Sequence, residues 1–99
     1  MWYAILSEDV ANSLALRKVH RPAHLERLKD LNQQGRLLVA GPHPAQDTHE
    51  PTEAGFTGSL VVLDFDSLTE AQQWADQDPY FINGVYAKVM IKPFIKALP

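Results

Sequence analysis

The sequence predicts an α+β domain of the ferredoxin-like type, a four-stranded antiparallel sheet with two helices on one face. Four short apolar runs are separated by polar segments, as expected for strands. Two stretches between these runs carry helical periodicity and helix-end signals. The resulting order, β-α-β-β-α-β, is typical of this fold. With 99 residues the chain has room for a single core, so we assign residues 1–99 to one domain.

The first strand and the first helix come from the opening third of the chain. The apolar run Trp2–Leu6 predicts the strand, and the polar residues 7–13 predict a connection. Pro22 suits the first position of a helix, because its missing N–H needs no partner there. Gly35 suits the position just after a helix end, so we expect the helix to cover Pro22–Gln34.

A second short strand and a long loop follow. Leu37–Ala40 predicts the strand, closed by a turn at Gly41 and Pro42. The segment Pro42–Thr57 has no periodicity and is rich in residues that favour loops. Unstructured loops of this length are uncommon in compact domains and are usually functional, so the segment is a candidate lid over a site.

The last elements repeat the pattern of strand, helix and strand. Gly58–Phe65 predicts the third strand. Ser67 and Glu70 have the spacing of a capping box, in which each side chain accepts a backbone N–H of the other residue. We expect the helix they open to end before Pro79, and Val85–Ile95 to form the last strand.

The third strand also predicts an assembly. Residues 60–63, Leu-Val-Val-Leu, are apolar at consecutive positions, so both faces of this strand require cover. Two helices cover only one face of the sheet. We therefore expect a homodimer in which the other faces of two sheets pack together, since a bare apolar sheet promotes association.

Composition narrows the function classes. The net charge is −3 and the basic residues are scattered, which gives no reason to expect nucleic acid as a partner. The absence of cysteine excludes disulfides, thiolate metal sites and a cysteine nucleophile. The first apolar run is too short for a signal peptide or a membrane span, so we expect a cytoplasmic protein with no membrane partner.

The strongest functional signal is a pair of acid–base side chains at inward positions of the two helices. His24 projects between Leu28 and Leu31 on the apolar side of the first helix. Asp78 projects near the centre of the inner side of the second helix, at its C-terminus, where the helix dipole disfavours an anion. A buried carboxylate needs a partner, and a histidine on the neighbouring helix would be one. A second interpretation is that His24 is a buried structural histidine and that Asp78 only caps the turn at Pro79 and Tyr80.

Several segments of the chain resemble the YciI-like proteins, which carry the YCII-related domain. The resemblance spans essentially the whole chain and rests on the segments Arg21-Pro-Ala-His-Leu25, Gly35-Arg-Leu-Leu-Val-Ala-Gly-Pro42, Gly55-Phe-Thr-Gly-Ser59, Asp78-Pro-Tyr80 and Gly84-Val-Tyr86. It implies the dimeric α/β-barrel version of the fold and a His–Asp pair suspected of catalysis, here His24 and Asp78. The resemblance implies that most members have no assigned reaction, that one branch resembles a dehydrochlorinase of hydroxylated, chlorinated aromatics, and that the wider superfamily includes muconolactone isomerases.

These observations predict a small enzyme that moves protons on a carbon acid without a cofactor. His24 would transfer the proton and Asp78 would orient its imidazole, in an isomerisation or an elimination. The alternative is a non-catalytic dimer that binds a small ligand or assembles with a partner. Further residues at turns, at the entry to the third strand and beside the pair are candidates for contact with a small-molecule ligand: Arg21, Gly41, Pro42, Thr57, Ser59 and Tyr80.

We expect no metal. His20 and His24 have the i, i+4 spacing that places two ligands on one helix face. If Pro22 is the first helical residue, however, His20 lies outside the helix and this geometry is lost. A site built on His24 and Asp78 would then need a histidine from the long loop.

Overall fold

The computed structural model describes residues 1–50 and 52–99, and within them the chain forms four strands and three helices. In chain order these are β1 (Trp2–Asp9), α1 (Leu14–Gln33), β2 (Leu37–Pro44), β3 (Phe56–Asp64), α2 (Leu68–Asp76), α3 (Pro79–Ile82) and β4 (Tyr86–Phe94).

The strands form one antiparallel sheet in the order β2-β3-β1-β4. In the middle of the sheet Ile5 lies opposite Val61 on one side and opposite Ile91 on the other. β4 is an edge strand, where Pro93 is tolerated because no further strand needs its N–H. The predicted ferredoxin-like fold is therefore confirmed, with α3 as an additional short helix.

The start of the first helix was predicted wrongly. α1 begins at Leu14, about two turns before Pro22, and Pro22 lies inside it. Pro22 and Lys18, whose carbonyl loses its hydrogen bond, are both exposed, so water is available to that carbonyl. As a consequence His20 belongs to the helix, contrary to the prediction.

The second strand was predicted too short. β2 continues through Gly41 and Pro42 to Pro44, which is possible because β2 is an edge strand. A hydrogen bond from the amide of Ala45 to the carbonyl of Gly55, at 2.9 Å, closes the loop that follows. The predicted loop included Pro51, which lies outside the described residues.

The helices after β3 also differ in detail from the prediction. The hydroxyl of Ser67 accepts the N–H of Glu70 at 3.1 Å, as the capping box requires. The Glu70 carboxylate instead accepts the N–H of Asp66, at 3.1 Å, so that only half of the box forms. Pro79 begins α3 rather than only ending α2, because proline is well accommodated in a first helical turn.

The main core lies between the helices and one face of the sheet. It is apolar and buried, and consists of Tyr3, Ile5, Leu28, Leu31, Val61, Leu63, Phe65, Ala71 and Ala75. A second, smaller buried cluster contains Tyr80, Val85 and Tyr86. α1 contacts both clusters: Leu28 and Leu31 belong to the main core, and the carbonyl of Arg17 accepts the hydroxyl of Tyr80 in the second cluster.

The other face of the sheet, which we call the open face, carries exposed apolar side chains. Because neighbouring residues of a strand point to opposite faces, Leu6 and Met90 lie on this face, opposite the core residues that adjoin them in sequence. Leu6 is 38% exposed, Val39 50%, Met90 40% and Phe94 38%. Among the described residues, no helix is both long enough and apolar enough to cross a membrane.

Candidate functional site

His24 and Asp78 are in direct contact. Nδ1 of His24 lies 2.8 Å from Oδ1 of Asp78, and each side chain is only 9% exposed. Asp78 is not at the end of α2, as predicted, but is the N-cap of α3, and its Oδ1 accepts the N–H of Tyr80 at 2.9 Å. A carboxylate is favourable at this position because backbone N–H groups point towards it. Asp78 therefore both pairs with His24 and caps the turn at Pro79 and Tyr80.

This contact orients the imidazole. With Asp78 ionised and the imidazole neutral, the proton is on Nδ1 of His24, whose N–H donates a hydrogen bond to the carboxylate, and the lone pair is on Nε2. The imidazole also stacks on the ring of Tyr80, with 3.9 Å between ring centroids and 7° between the planes. The hydroxyl of Tyr80 donates to the carbonyl of Arg17 at 3.3 Å. The ring of His24 is thus held by a hydrogen bond to Asp78 at one edge and by stacking against Tyr80 on one face.

A cavity of about 210 Å³ lies beside His24, between α1 and the β2–β3 part of the sheet. Its apolar wall is formed by Leu25, Leu28, Ala40 and Val61, and its polar groups come from Arg17, Arg21, His24, Ser59 and Tyr80, with Gly41 and Pro42 completing the lining. Five of the six predicted ligand contacts therefore lie at this cavity together with His24. Their contact with a ligand stays a prediction. The described residues of the loop, 45–50 and 52–55, do not line the cavity.

Thr57 is the predicted contact that lies elsewhere. His43 pairs with Gly58 and Pro44 pairs with Phe56, so Thr57 is left out of the β2–β3 ladder as an extra residue. An extra residue of this kind reverses the alternation of side chains along a strand. Thr57 consequently lines a separate depression, together with Leu6 and Met90 of the open face.

Arg17 is the main residue of the site that sequence reasoning missed. It is buried, with 6% exposure, and forms an ion pair with Asp9: Nε lies 2.6 Å from Oδ2, and Nη2 lies 2.9 Å from Oδ1. Nη2 is also within hydrogen-bond distance of the carbonyl of Gly58, at 3.0 Å, and of Oγ of Ser59, at 2.9 Å. Arg17 precedes Arg21 by one helical turn and His24 by two, a spacing that would have identified it had α1 been predicted at its full length.

The surroundings of Arg17 keep it charged. Burial lowers the pKa of Arg17, but the hydrogen bonds and the negative charge of Asp9 outweigh burial, so the pKa is raised above its ordinary value. Asp9 also accepts the hydroxyl of Ser13 at 2.6 Å. Gly58 is required here because a Cβ at this position would collide with the carbonyl oxygen of Ser7.

Two tyrosines complete the polar cluster. The hydroxyl of Tyr86 donates to Oγ of Ser59 at 3.0 Å. Burial raises the pKa of Tyr86 far above its ordinary value, and burial also raises the pKa of Tyr80. Both phenols are therefore neutral hydroxyl groups across the physiological pH range.

Potential metal ligands are dispersed. Among the described residues there is no group of three or more histidine, aspartate and glutamate side chains close enough to hold an ion. His20 does lie on α1 one turn before His24. His43 belongs to the depression on the open face, away from His24.

The fold and the site together define a ferredoxin-like domain of the dimeric α/β-barrel type with a buried His–Asp pair beside a small cavity. The chain belongs to the YCII-related domain family, whose pattern it matches over residues 1–95. The resemblance identified from the sequence segments is thereby confirmed.

Named relatives are similar over nearly the whole chain. The protein YciI of Escherichia coli O6:H1 is 55% identical over 96 residues, which cover 97% of this chain and 98% of that protein. An uncharacterized protein of Haemophilus influenzae is 52% identical over 96 residues, with the same coverage of 97% and 98%.

A solved structure of an enzyme has the same fold. The 5-chloro-2-hydroxyhydroquinone dehydrochlorinase of Burkholderia phenoliruptrix AC1100, in complex with 2,5-dihydroxybenzoquinone, superimposes with a TM-score of 0.84. It is 25% identical in sequence, and the match covers 96% of this chain and 94% of that chain.

Proposed function

We propose that this protein is a small enzyme in which His24 transfers a proton and Asp78 orients the imidazole that does so. The observation that carries the proposal is the buried 2.8 Å contact between Nδ1 and Oδ1 at the edge of a cavity. A carboxylate that holds one ring nitrogen fixes the tautomer and stabilises the imidazolium formed when the other nitrogen takes up a proton. The family relationship is compatible with this role, and the similar fold of a dehydrochlorinase supports it.

The reaction we propose is proton transfer on a small carbon acid, without a cofactor. Nε2 of His24 removes a proton from a carbon next to a carbonyl group, the electron pair of that C–H bond forms a double bond to the carbonyl carbon, and the π pair of the carbonyl group moves to its oxygen to give an enolate. In an isomerisation the imidazolium returns the proton to a different carbon. In an elimination the electron pair instead forms a carbon–carbon double bond and expels a leaving group such as chloride.

The first test uses two reactions of this class. 5-Chloro-2-hydroxyhydroquinone is assayed for chloride release, and muconolactone is assayed for isomerisation by proton NMR. His24→Gln should lower the rate of any reaction found by about 10²- to 10⁴-fold, the usual contribution of a positioned acid–base group. His49→Gln, which makes the same substitution at an exposed loop histidine, is the matched control and should leave the rate unchanged. A His24→Gln variant with full activity would contradict the proposal.

A second measurement does not depend on finding the substrate. Nitrogen-15 NMR of the imidazole rings identifies which nitrogen of His24 is protonated in the neutral form. We expect the proton on Nδ1, and we expect Asp78→Asn to weaken this preference, since the charge that favours it is removed. A neutral His24 protonated on Nε2 has no lone pair in the position the mechanism requires and would argue against catalysis.

We further propose that the protein is a cytoplasmic homodimer formed through the open face of the sheet. Supporting this, the open face exposes the side chains of Leu6, Val39, Met90 and Phe94, and contiguous exposed apolar surface usually marks an interface. A chain without cysteine is compatible with a reducing compartment.

Two leucines of equal exposure test the dimer. Leu6 on the open face and Leu16 on α1 are each 38% exposed. Leu6→Lys should convert the dimer to a monomer in sedimentation velocity, because two lysines would be brought into an apolar interface. Leu16→Lys should remain dimeric. A wild-type protein that sediments as a monomer at micromolar concentration would contradict the assembly.

A further inference from the structure

Arg17 has donor groups that the protein does not use. Nε and Nη2 are directed at Asp9, Gly58 and Ser59. The remaining nitrogen, Nη1, has no hydrogen-bond partner among the described residues, yet it is not fully enclosed, since it is absent from the buried polar atoms that lack a partner. Arg17 is only 6% exposed and lines the cavity beside His24. Its unpaired N–H groups are therefore available to a molecule in that cavity.

Ser59 has an unused donor for a different reason. A hydroxyl group accepts up to two hydrogen bonds and donates one. Oγ of Ser59 accepts from Nη2 of Arg17 at 2.9 Å and from the hydroxyl of Tyr86 at 3.0 Å. Arg17 can only donate, and with Tyr86 as the donor of the second bond both acceptor positions of Ser59 are filled, which leaves the hydroxyl hydrogen of Ser59 to donate. Ser59 is buried, at 5% exposure, and lines the same cavity.

The charged groups that line this end of the cavity are basic. Asp9 balances the charge of Arg17 in their ion pair, but Asp9 does not line the cavity, whereas Arg17 does. Arg21, one turn further along α1, lines the cavity as an exposed side chain and adds a second positive charge at its rim. A carboxylate or ionised hydroxyl is the group that two converging donors and a positive charge favour.

We infer that Arg17 and Ser59 form a subsite for the negatively charged oxygen of a small organic anion. The inference rests on the proposed function in its location, since the subsite and His24 share one cavity. The guanidinium carbon of Arg17 lies 5.0 Å from the ring centroid of Tyr80, and the imidazole of His24 stacks on the same ring at 3.9 Å, so Tyr80 links the two groups. The ligand therefore carries its anionic oxygen at one end and its acidic carbon at the other, with an apolar body against Leu25 and Val61. The oxygen belongs to an ionised hydroxyl or to a carboxylate.

The test measures binding rather than turnover. Isothermal titration calorimetry compares benzoate with benzamide, which has nearly the same size and no charge. We expect benzoate to bind at least about ten-fold more tightly, because hydrogen bonds to a charged group are stronger than those to a neutral one. 2,5-Dihydroxybenzoquinone, whose hydroxyl groups ionise readily, distinguishes an ionised hydroxyl from a carboxylate by its affinity relative to benzoate.

Variants then identify the residues responsible for the preference for benzoate over benzamide. Ser59→Ala should lower benzoate affinity about five- to ten-fold and leave benzamide affinity unchanged, whereas Arg36→Gln, far from the cavity, should change neither. Equal binding of benzoate and benzamide to the wild-type protein would overturn the inference. So would selectivity that survives Ser59→Ala but is lost in Arg21→Gln, since charge at the rim would then account for it. None of these outcomes depends on the activity of His24, so the subsite and the proposed reaction can fail separately.

Discussion

Two buried pairs of an acid and a base lie at the same end of this domain, and they differ in the number of hydrogen bonds that the carboxylate accepts from its basic partner. In the Arg17–Asp9 pair the side chains are 7% and 1% exposed, and the carboxylate accepts two hydrogen bonds from Arg17 and one from Ser13. In the His24–Asp78 pair each side chain is 9% exposed, with one hydrogen bond between the side chains.

The difference agrees with the proposed roles of a structural pair for Arg17 and Asp9 and an acid–base pair for His24 and Asp78. Arg17 is charged at every pH the folded protein meets, and its pairing with Asp9 ties β1 to α1. Histidine has a neutral and a charged form, and within residues 1–50 and 52–99 the second ring nitrogen of His24 has no hydrogen-bond partner. Burial alone therefore does not mark a candidate acid–base group. What marks His24 is a ring nitrogen that no described residue contacts by a hydrogen bond.

The largest expected effect on stability comes from breaking the Arg17–Asp9 pair. Asp9→Asn removes the charge that balances a buried guanidinium group and should destabilise the protein by about 3–5 kcal/mol, the usual cost of breaking a buried ion pair. Urea denaturation at fixed protein concentration measures the change in the free energy of unfolding. A decrease in the free energy of unfolding below about 1 kcal/mol would show that water solvates the charge of Arg17 when Asp9 is replaced.

The same substitution in the second pair should cost less. In Asp78→Asn the amide oxygen is still able to accept from Nδ1 of His24 and from the N–H of Tyr80, and a neutral imidazole needs no counter-charge. We expect a loss of about 1–2 kcal/mol in the same urea experiment. If Asp9→Asn and Asp78→Asn proved equally destabilising, the distinction between the two pairs would be refuted.

The smallest expected effect comes from replacing Tyr86, whose hydroxyl donates a hydrogen bond to Ser59. Because burial raises the pKa of Tyr86, the unfolded phenol ionises near pH 10 while the folded one stays protonated. The contribution of Tyr86 to the free energy of unfolding is then constant below about pH 10. It falls as the pH rises further, since the unfolded state binds fewer protons. Between pH 8 and pH 10.5 Tyr86→Phe should lose about 0.8 kcal/mol less stability than the wild type. An identical decline in both proteins would exclude this contribution.

The inward position of His24 was predictable because it follows from the periodicity of α1. Asp78 was placed on the second helix, but it is the N-cap of α3 and has an extended backbone, so its buried position agrees with the prediction without following from helix periodicity. Arg17 was missed for a related reason. Pro22 was interpreted as the start of a helix, and a helix of the predicted length does not contain Arg17.

Thr57 shows the limit of strand alternation. The residue lies two positions before Ser59, and a regular strand would place both on one face. The irregular pairing of Pro44 with Phe56 removes Thr57 from the ladder and places it in the depression on the open face. Such an irregularity depends on the partner strand, so the letters of β3 alone do not reveal it.

The sequence by itself determined the order of the four strands and the two main helices, the family and the two side chains of the candidate dyad. These properties depend on periodicity, caps and segments that are local in the chain. Only the tertiary structure decided that Asp9, Arg17, Ser59 and Tyr86 form one connected cluster, and that the cluster shares a cavity with His24. The reason is physical: contacts between residues distant in sequence are set by the register of β1, β3 and β4 and by the way α1 packs across them, and neither is encoded in any one segment.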